Sequence, residues 1–483
     1  MTLADDRDGA KRYQSSESAE ARPSEATLAQ QGHNVGMTER AIQDPALSPL
    51  AAAEDEVVDL CRALIQIDTT NAGDETGPGE AEAAEYVESL LAEVGYQPER
   101  FETTSGRRQG VVVRIPGSDP HGGTLLVHGH LDVVPARASD WRSPPFAAEV
   151  VDDMIWGRGA VDMKDMDAMI LATARDWALT GARPRRDIVL MFLPDEEAGG
   201  HNGSHWLIDN RPDLFEGVTE AVGEVGGFSL TVRDDLRLYL IQTAEKGMGW
   251  LRLRAAGRAG HGSMLNDENA ITALSAAVAQ IGAHKFPVHV TDTVRAMLEG
   301  ISSATGVELD PNDMEATLAR LGPLARLVGA TLMNTANPTM LSAGYKVNVV
   351  PGEATAAIDG RFLPGYEAEL FEVLDAIIGD RITREFIAHD VALETTFDGP
   401  TIDAMAAALG AEDPGAVAIP YMLSGGTDAK AFSRLGIRGY GFAPLLLPPD
   451  LDFGAMFHGV DERVPVSALK FGVRVLDRFL RTC

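Results

Sequence analysis

Between residues 54 and 67 the apolar side chains Val57, Val58, Leu60, Cys61, Leu64 and Ile65 return every three or four positions, the spacing that gathers one face of a helix. Residues 80–94 repeat the pattern and stop before Gly95, a residue suited to a helix end. The texture then shortens. Residues 110–115 and 123–128 are compact apolar runs bounded by glycine, which predict strands. Residues 166–179 predict another helix, and 187–193 a strand running into Pro194. Strands apolar on both faces and separated by helices predict an α/β sheet covered on both sides. In such sheets functional residues gather where strands give way to loops.

Near Ala244 the pattern changes again. Residues 247–255 predict a strand, 268–281 a helix, and 345–350 with 354–362 two strands around Pro351-Gly352, together a small α+β unit. The α/β pattern resumes with a helix over 367–378 and closes with one over 465–480. Because His458 follows the smaller unit and joins the site proposed below, that unit is placed as an insertion. The expected division is a catalytic α/β domain over 46–243 and 364–483, interrupted by an α+β domain over 244–363. Residues 291–337 carry no assignable pattern, and no internal repeat is present. Residues 1–45 are rich in Ser, Glu, Ala, Arg and Gln without periodicity, which predicts a disordered tail lacking the apolar core of a secretory signal. Met37, just ahead of the folded region, marks an alternative start.

Composition narrows the function classes. The chain's 483 residues suffice for two domains with full cores, and 45% hydrophobic with 23% charged content is ordinary for a globular protein. A net charge of −31 argues against nucleic-acid binding, which demands clustered Lys and Arg. The acids are dispersed and read as a solvating surface. Cys61 and Cys483 are the only cysteines, so no disulfide framework is expected and a reducing cytoplasm fits. No run approaches the roughly 20 apolar residues that cross a bilayer.

Candidate chemistry sits at the predicted strand ends. In His128-Gly129-His130-Leu131-Asp132, residues two apart share a face of an extended segment, so Asp132 is positioned to accept a hydrogen bond from the His130 ring and fix the nitrogen it presents. Alone, such a triplet equally fits a capped strand end. Asp162, after Gly157 and Gly159, reads as a helix cap or as a bridging carboxylate. Asp195-Glu196-Glu197 follows a buried strand directly, and adjacent carboxylates repel unless positive charge lies nearby. Glu224 before Val225-Gly226-Gly227, and His458 before Gly459, complete an ordered series of imidazoles and carboxylates without thiolates. That donor set suits a hard or borderline divalent cation and argues for a two-metal hydrolase.

On these motifs the chain, from about residue 50 onward, resembles the zinc exopeptidase and aminoacylase family that includes carboxypeptidase G, aminoacylase, acetylornithine deacetylase and succinyl-diaminopimelate desuccinylase. The resemblance implies a di-zinc exopeptidase-like α/β catalytic domain with an inserted lid, or dimerisation, domain. It implies that His130 and Glu224 hold one zinc, Glu197 and His458 the other, and Asp162 both, with Asp132 orienting His130. Glu196 remains without a ligand duty and would serve as the base that takes a proton from water between the cations and returns it to the leaving amine. Cobalt or manganese would fit the same donors.

The resemblance also assigns roles away from the metals. His261, in Gly260-His261-Gly262-Ser263, would stabilise the oxyanion in a partner subunit's site, which requires a homodimer. Asn348 and Arg361 would contact the substrate's carboxylate or oxyanion. Ser424, Gly425, Gly426 and Thr427 form a glycine-rich turn feeding a helix, able to receive an anion on backbone N–H groups. Lys430 stands where many relatives carry Arg, and as a point charge it lacks the bidentate grip of a guanidinium. The expected activity is hydrolysis of a peptide or N-acyl amide beside a free carboxylate, by a dipeptidase, carboxypeptidase or N-acyl-amino-acid deacylase. The alternatives are an N-carbamoyl or ureide amidohydrolase, and a non-catalytic protein binding an amino-acid-like ligand; retention of Glu196 speaks against the latter.

Overall fold

The computed structural model describes residues 50–483 apart from Glu75, Gly322 and Pro323. The tail expected over 1–45, with Met37, lies outside the described residues.

Ten strands form the larger sheet. At its centre Asp187–Leu193, Thr124–His130, Val218–Gly223 and Arg438–Gly441 lie side by side and parallel, so their carboxyl ends open on one edge. The register sets His130 opposite Leu193. Both faces are covered, as the period-two alternation of side chains requires. Leu125, Val127, Ile188, Leu190 and Phe192 join a core built with the helices Ala51–Gln66, Lys164–Thr180 and Val466–Thr482. Leu126, Val189, Met191 and Leu193 point the other way, to a core with Leu207, Ile208, Ala431 and Phe432. Every residue of Thr124–His130 is buried, which explains the apolar run Leu125-Leu126-Val127 at its heart.

The second sheet is antiparallel, in the order Thr335–Ala343, Glu353–Phe362, Gly247–Ala256, Ile382–Asp390. Gly247–Ala256 alternates buried and open positions, and Leu251 and Leu253 meet Leu274 and Ile281 of the helix Ala270–Ala283. Asn269 caps that helix by accepting from the N–H groups of Ile271 and Thr272.

Three expectations change here. The second sheet and its core run on to Asp390, past the boundary placed at residue 363. Leu370, Phe371 and Leu374 of the helix Glu367–Ile378 fill its core, and Ile382–Asp390 pairs with Gly247–Ala256. The strand expected over 345–350 is reduced to Val349–Val350, because Tyr345 and Val347 are exposed in a turn. The partner of Glu353–Phe362 is Thr335–Ala343. The unassigned stretch holds the helices Asp292–Thr305, Met314–Leu321 and Leu324–Gly329. Val294, Met297, Leu298 and Ile301 belong to the core of the larger sheet. A Cβ on Gly300 would come within 2.8 Å of Ile419, so this glycine lets the first helix lie close on the strand Ala416–Leu423.

Candidate metal centre

The ends of three adjacent parallel strands carry His130, the Asp195-Glu196-Glu197 turn and Glu224. His130 Nε2 lies 3.1 Å from Asp162 Oδ1, 3.4 Å from Glu224 Oε2 and 3.9 Å from Glu196 Oε2. His458, held at a positive φ of 57°, places its Nε2 2.9 Å from Glu197 Oε2 and 3.3 Å from Asp162 Oδ2. The two oxygens of Asp162 thus face different histidines. Asp162 does not cap the following helix: that helix begins at Lys164 after Met163, with no side-chain cap.

Asp132 acts differently from the sequence expectation. The His130 Nδ1 partner is the Asp132 carbonyl oxygen at 2.9 Å, while the carboxylate stands 3.6 Å away. That carboxylate instead accepts from the backbone N–H groups of Glu196 and Glu197, both at 3.1 Å, and from Asn71 Nδ2 at 2.8 Å. One aspartate therefore holds the ring through its main chain and the acidic turn through its side chain. Asp195 turns away from the cluster, accepting from Asn202 N at 2.7 Å and from Asn71 at 3.1 Å. Arg108, paired with Glu80, donates to Asn71 Oδ1 at 2.8 Å.

Glu462 has no role in the sequence reading. Buried, it takes Arg158 Nη1 and Val161 N at 2.7 Å, Gly159 N at 3.1 Å and Asp162 N at 3.2 Å. It thereby clamps the loop that delivers Asp162 to the segment that delivers His458. It lies four residues after His458 in the sequence, but only the three-dimensional pairing with Arg158 reveals its duty.

The electrostatics of this cluster call for cations. Burial pushes the Glu196 carboxyl well above its usual range, and Glu224 adds to the shift. Burial also lifts Glu224 to about 8 against the pull of His130, and raises Glu197 with help from Asp162. The His130 pKa stands well above normal although burial opposes its charge, because Glu224 and Asp162 outweigh that cost. Hydrogen bonds to Asp162 and Glu197 carry His458 to about 10. Asp162 is held low by both imidazoles against its burial. Two groups, His130 with Glu196 and Glu224, and His130 with Asp162 and Glu197, each bring ligand atoms within 4.8 Å of one another. This donor set fits divalent metal ions.

A cleft of about 660 Å³ opens over the cluster. Asp162, Glu196, Glu197, Glu224 and His458 line it, together with Ser424, Gly425, Gly426, Thr427 and Lys430. Val225, Phe228, Tyr421, Leu423 and Phe457 supply an apolar wall, and Met248, Trp250, Arg361 and Asp390 reach in from the second sheet. Arg361 lies over the Trp250 ring and pairs with Asp359 at 2.7 Å. His261 and Asn348 do not line this cleft. They stand together and exposed, with Gly262 N donating to Asn348 O at 2.9 Å and His261 Nδ1 2.8 Å from Ser263 Oγ. Thr427 is committed to Glu245, through its N–H at 3.1 Å and its hydroxyl at 2.6 Å.

With two imidazoles and four carboxylates gathered at the ends of parallel strands, comparison with known proteins is decisive. Residues 126–482 match Peptidase family M20/M25/M40, and the chain belongs to that family. It is a hydrolytic enzyme. Among curated relatives, it is 28% identical over 448 residues to the N-fatty-acyl-amino acid synthase/hydrolase PM20D1 of Xenopus tropicalis, covering 87% of this chain and 84% of that protein. It is 26% identical to Aminoacylase-1 of Sus scrofa, over 83% of this chain and 90% of the relative. Its fold matches the M20 family metallo-carboxypeptidase Sso-CP2 from Sulfolobus solfataricus with a TM-score of 0.67 and 18% identity, over 89% of this chain and 99% of the other.

Proposed function

We propose that this hydrolase cleaves N-acyl amino acids carrying an apolar acyl group, and that its resident cofactors are two zinc ions. The observation that carries the reading is the carboxylate of Asp162, each oxygen of which faces a different imidazole. His130, Glu224 and Asp162 would hold one ion, and Glu197, His458 and Asp162 the other. Bound there, two cations would acidify a water and polarise an amide carbonyl. Glu196 is the proton carrier: without a ligand duty in this arrangement and with its Oε2 3.9 Å from His130 Nε2, it is placed to take a proton from the attacking water and pass it to the leaving nitrogen. Asp132 keeps Glu196 and Glu197 in register. The apolar wall of Phe228, Tyr421, Leu423 and Phe457 suits the acyl group, and Arg361 is the cleft's guanidinium for a carboxylate. The relatives named as an N-fatty-acyl-amino acid hydrolase and an aminoacylase support that substrate class.

The exposed His261 and Asn348 support a homodimer in which they complete the partner's site. Met340, Leu341, Tyr345 and Val347, exposed beside the free edge strand Thr335–Ala343, form the matching apolar surface. A cytoplasmic setting fits two free, buried cysteines, and no helix among the described residues is long and apolar enough to cross a membrane. Metal analysis coupled to a panel of N-acyl amino acids, dipeptides and N-carbamoyl amino acids, before and after chelation, tests the reading. Preferred turnover of dipeptides or carbamoyl compounds would overturn the substrate class. Binding without turnover of any of them would overturn catalysis.

A further inference from the structure

Lys430 lies beneath the glycine-rich loop, buried, with its stem running under Gly426. A Cβ on Gly426 would come within 2.4 Å of Lys430 Cε, so the glycine keeps that path open. The Lys430 ammonium donates to the carbonyl oxygens of Lys246 and Val391, the latter at 2.9 Å, and stands 3.9 Å from Glu245 Oε2. Two of the ammonium's N–H groups are thus engaged by backbone carbonyls, and Glu245 adds a nearby opposite charge without a hydrogen bond. The places of the two carbonyls are the telling fact. Lys246 directly precedes Gly247–Ala256, and Val391 directly follows Ile382–Asp390. They are the points where the chain first enters and finally leaves the second sheet.

Other bonds tie the same junction. Glu245 accepts from Thr427, which fastens the glycine-rich loop to the entry point. His205 Nε2 lies 3.2 Å from Asp390 Oδ2, linking the larger sheet's cover to the exit strand. Met248, Trp250 and Asp390, cleft residues contributed by the second sheet, hang from the two paired strands next to these crossings, and Arg361 from Glu353–Phe362, which pairs with Gly247–Ala256 on its other side.

We propose that Lys430 is a positioning residue that fixes the angle of the second sheet across the cleft, and that it does not bind the substrate's carboxylate. The inference rests on the hydrolase reading above for its kinetic consequence only. Its structural consequence is readable without turnover.

The test uses the metal-loaded, full-length protein and Lys430→Met, with Lys430→Arg as the variant that keeps charge and donors. Hydrogen exchange is followed in peptides spanning residues 245–248 and 389–392, and kcat and KM are measured for an N-acyl amino acid and its methyl ester. Lys430→Met should speed exchange at both crossings about tenfold or more, because two buried charge-assisted bonds are lost. It should lower kcat for acid and ester alike, with metal content unchanged, and Lys430→Arg should restore slow exchange. If Lys430→Met leaves both crossings protected and raises KM for the acid alone, Lys430 is a substrate contact and the proposal is wrong. Should Lys430→Met fail to fold, Lys430→Arg decides: a lowered KM for the acid with unchanged crossings refutes positioning, and an equal effect on acid and ester upholds it. A wild-type protein that hydrolyses nothing overturns the substrate reading, while the exchange result still judges Lys430.

Discussion

Replacing Asp132 with Asn separates two ways of supporting the metal centre. The carboxylate serves three donors, with Oδ1 on Glu196 N–H and Oδ2 on Glu197 N–H and Asn71 Nδ2. An asparagine keeps one acceptor oxygen and turns an NH₂ group towards the remaining donor. In its better orientation the Oδ2 position stays an acceptor, so two charge-assisted bonds become neutral, at about 1 kcal/mol each, and one buried N–H loses its partner, at about 1–3 kcal/mol. The sum is about 4 kcal/mol. Loss of support behind ligands commonly weakens metal affinity by about 10–100-fold. Misplacement of Glu196 that costs about 1.4 kcal/mol in the transition state lowers kcat about tenfold.

Urea unfolding of metal-stripped protein reads the stability term directly, since all three donors belong to the chain. The decisive assay is a double-mutant cycle with His130→Ala. Support exerted on the Glu196-Glu197 turn persists without the imidazole, so Asp132→Asn should cost about 4 kcal/mol in both backgrounds, with coupling below about 0.5 kcal/mol. If the cost largely disappears once His130 is gone, the carboxylate works through the ring after all and the argument from the hydrogen bonds fails.

Glu462→Ala should be more damaging: it strands the buried Arg158 charge and three backbone N–H groups, for a loss of about 3–5 kcal/mol by urea unfolding and a metal content reduced at both positions, because Asp162 faces both histidines. Glu196→Gln should retain metal by elemental analysis yet lose nearly all turnover, and loss of metal instead would make Glu196 a ligand. The stability profile between pH 8 and 10.5 should carry the signature of Lys246, whose pKa burial lowers from 10.5 to about 8, helped by Arg361 and opposed by Asp359. Across that window the unfolded chain holds the proton and the folded chain has released it, so this group's contribution to stability rises with pH, by up to about 3 kcal/mol. The wild type should therefore gain on Lys246→Met as pH increases, and a flat or falling difference would refute the assignment.

The elements legible from the sequence are those whose burial is uniform. The strand Asp187–Leu193 appears in the sequence with its true limits because its last six residues are buried and Pro194 ends it. The helix Glu367–Ile378 is equally plain, yet its domain was misjudged, since periodicity says that a face is apolar and nothing about which sheet covers it. Val294, Met297, Leu298 and Ile301 do follow the helical spacing, but the helix Asp292–Thr305 that carries them stands between loops and short helices, and its place on Ala416–Leu423 is set by packing that sequence spacing does not show. Tyr345 and Val347 misled in the opposite sense: their apolar character suggests a strand, whereas both are exposed beside a free sheet edge.

The candidate metal donors could be picked out because residue type and order along the chain coincide: imidazoles and carboxylates recur in series, several of them where a buried run ends. Their supports were not, because Asn71, Arg108 and Glu462 act through partners 28 to 304 residues away in sequence. No local pattern distinguishes an asparagine that satisfies two aspartates from one in a solvated turn. The same limit explains Lys430. In sequence it follows a glycine-rich loop and reads as a cation for a bound anion, but its buried ammonium points to backbone carbonyls at residues 246 and 391. A buried cation already donating to two backbone carbonyls is poorly placed to grip a ligand, so substrate specificity in this chain should follow Arg361 and the apolar wall more closely than the identity of residue 430.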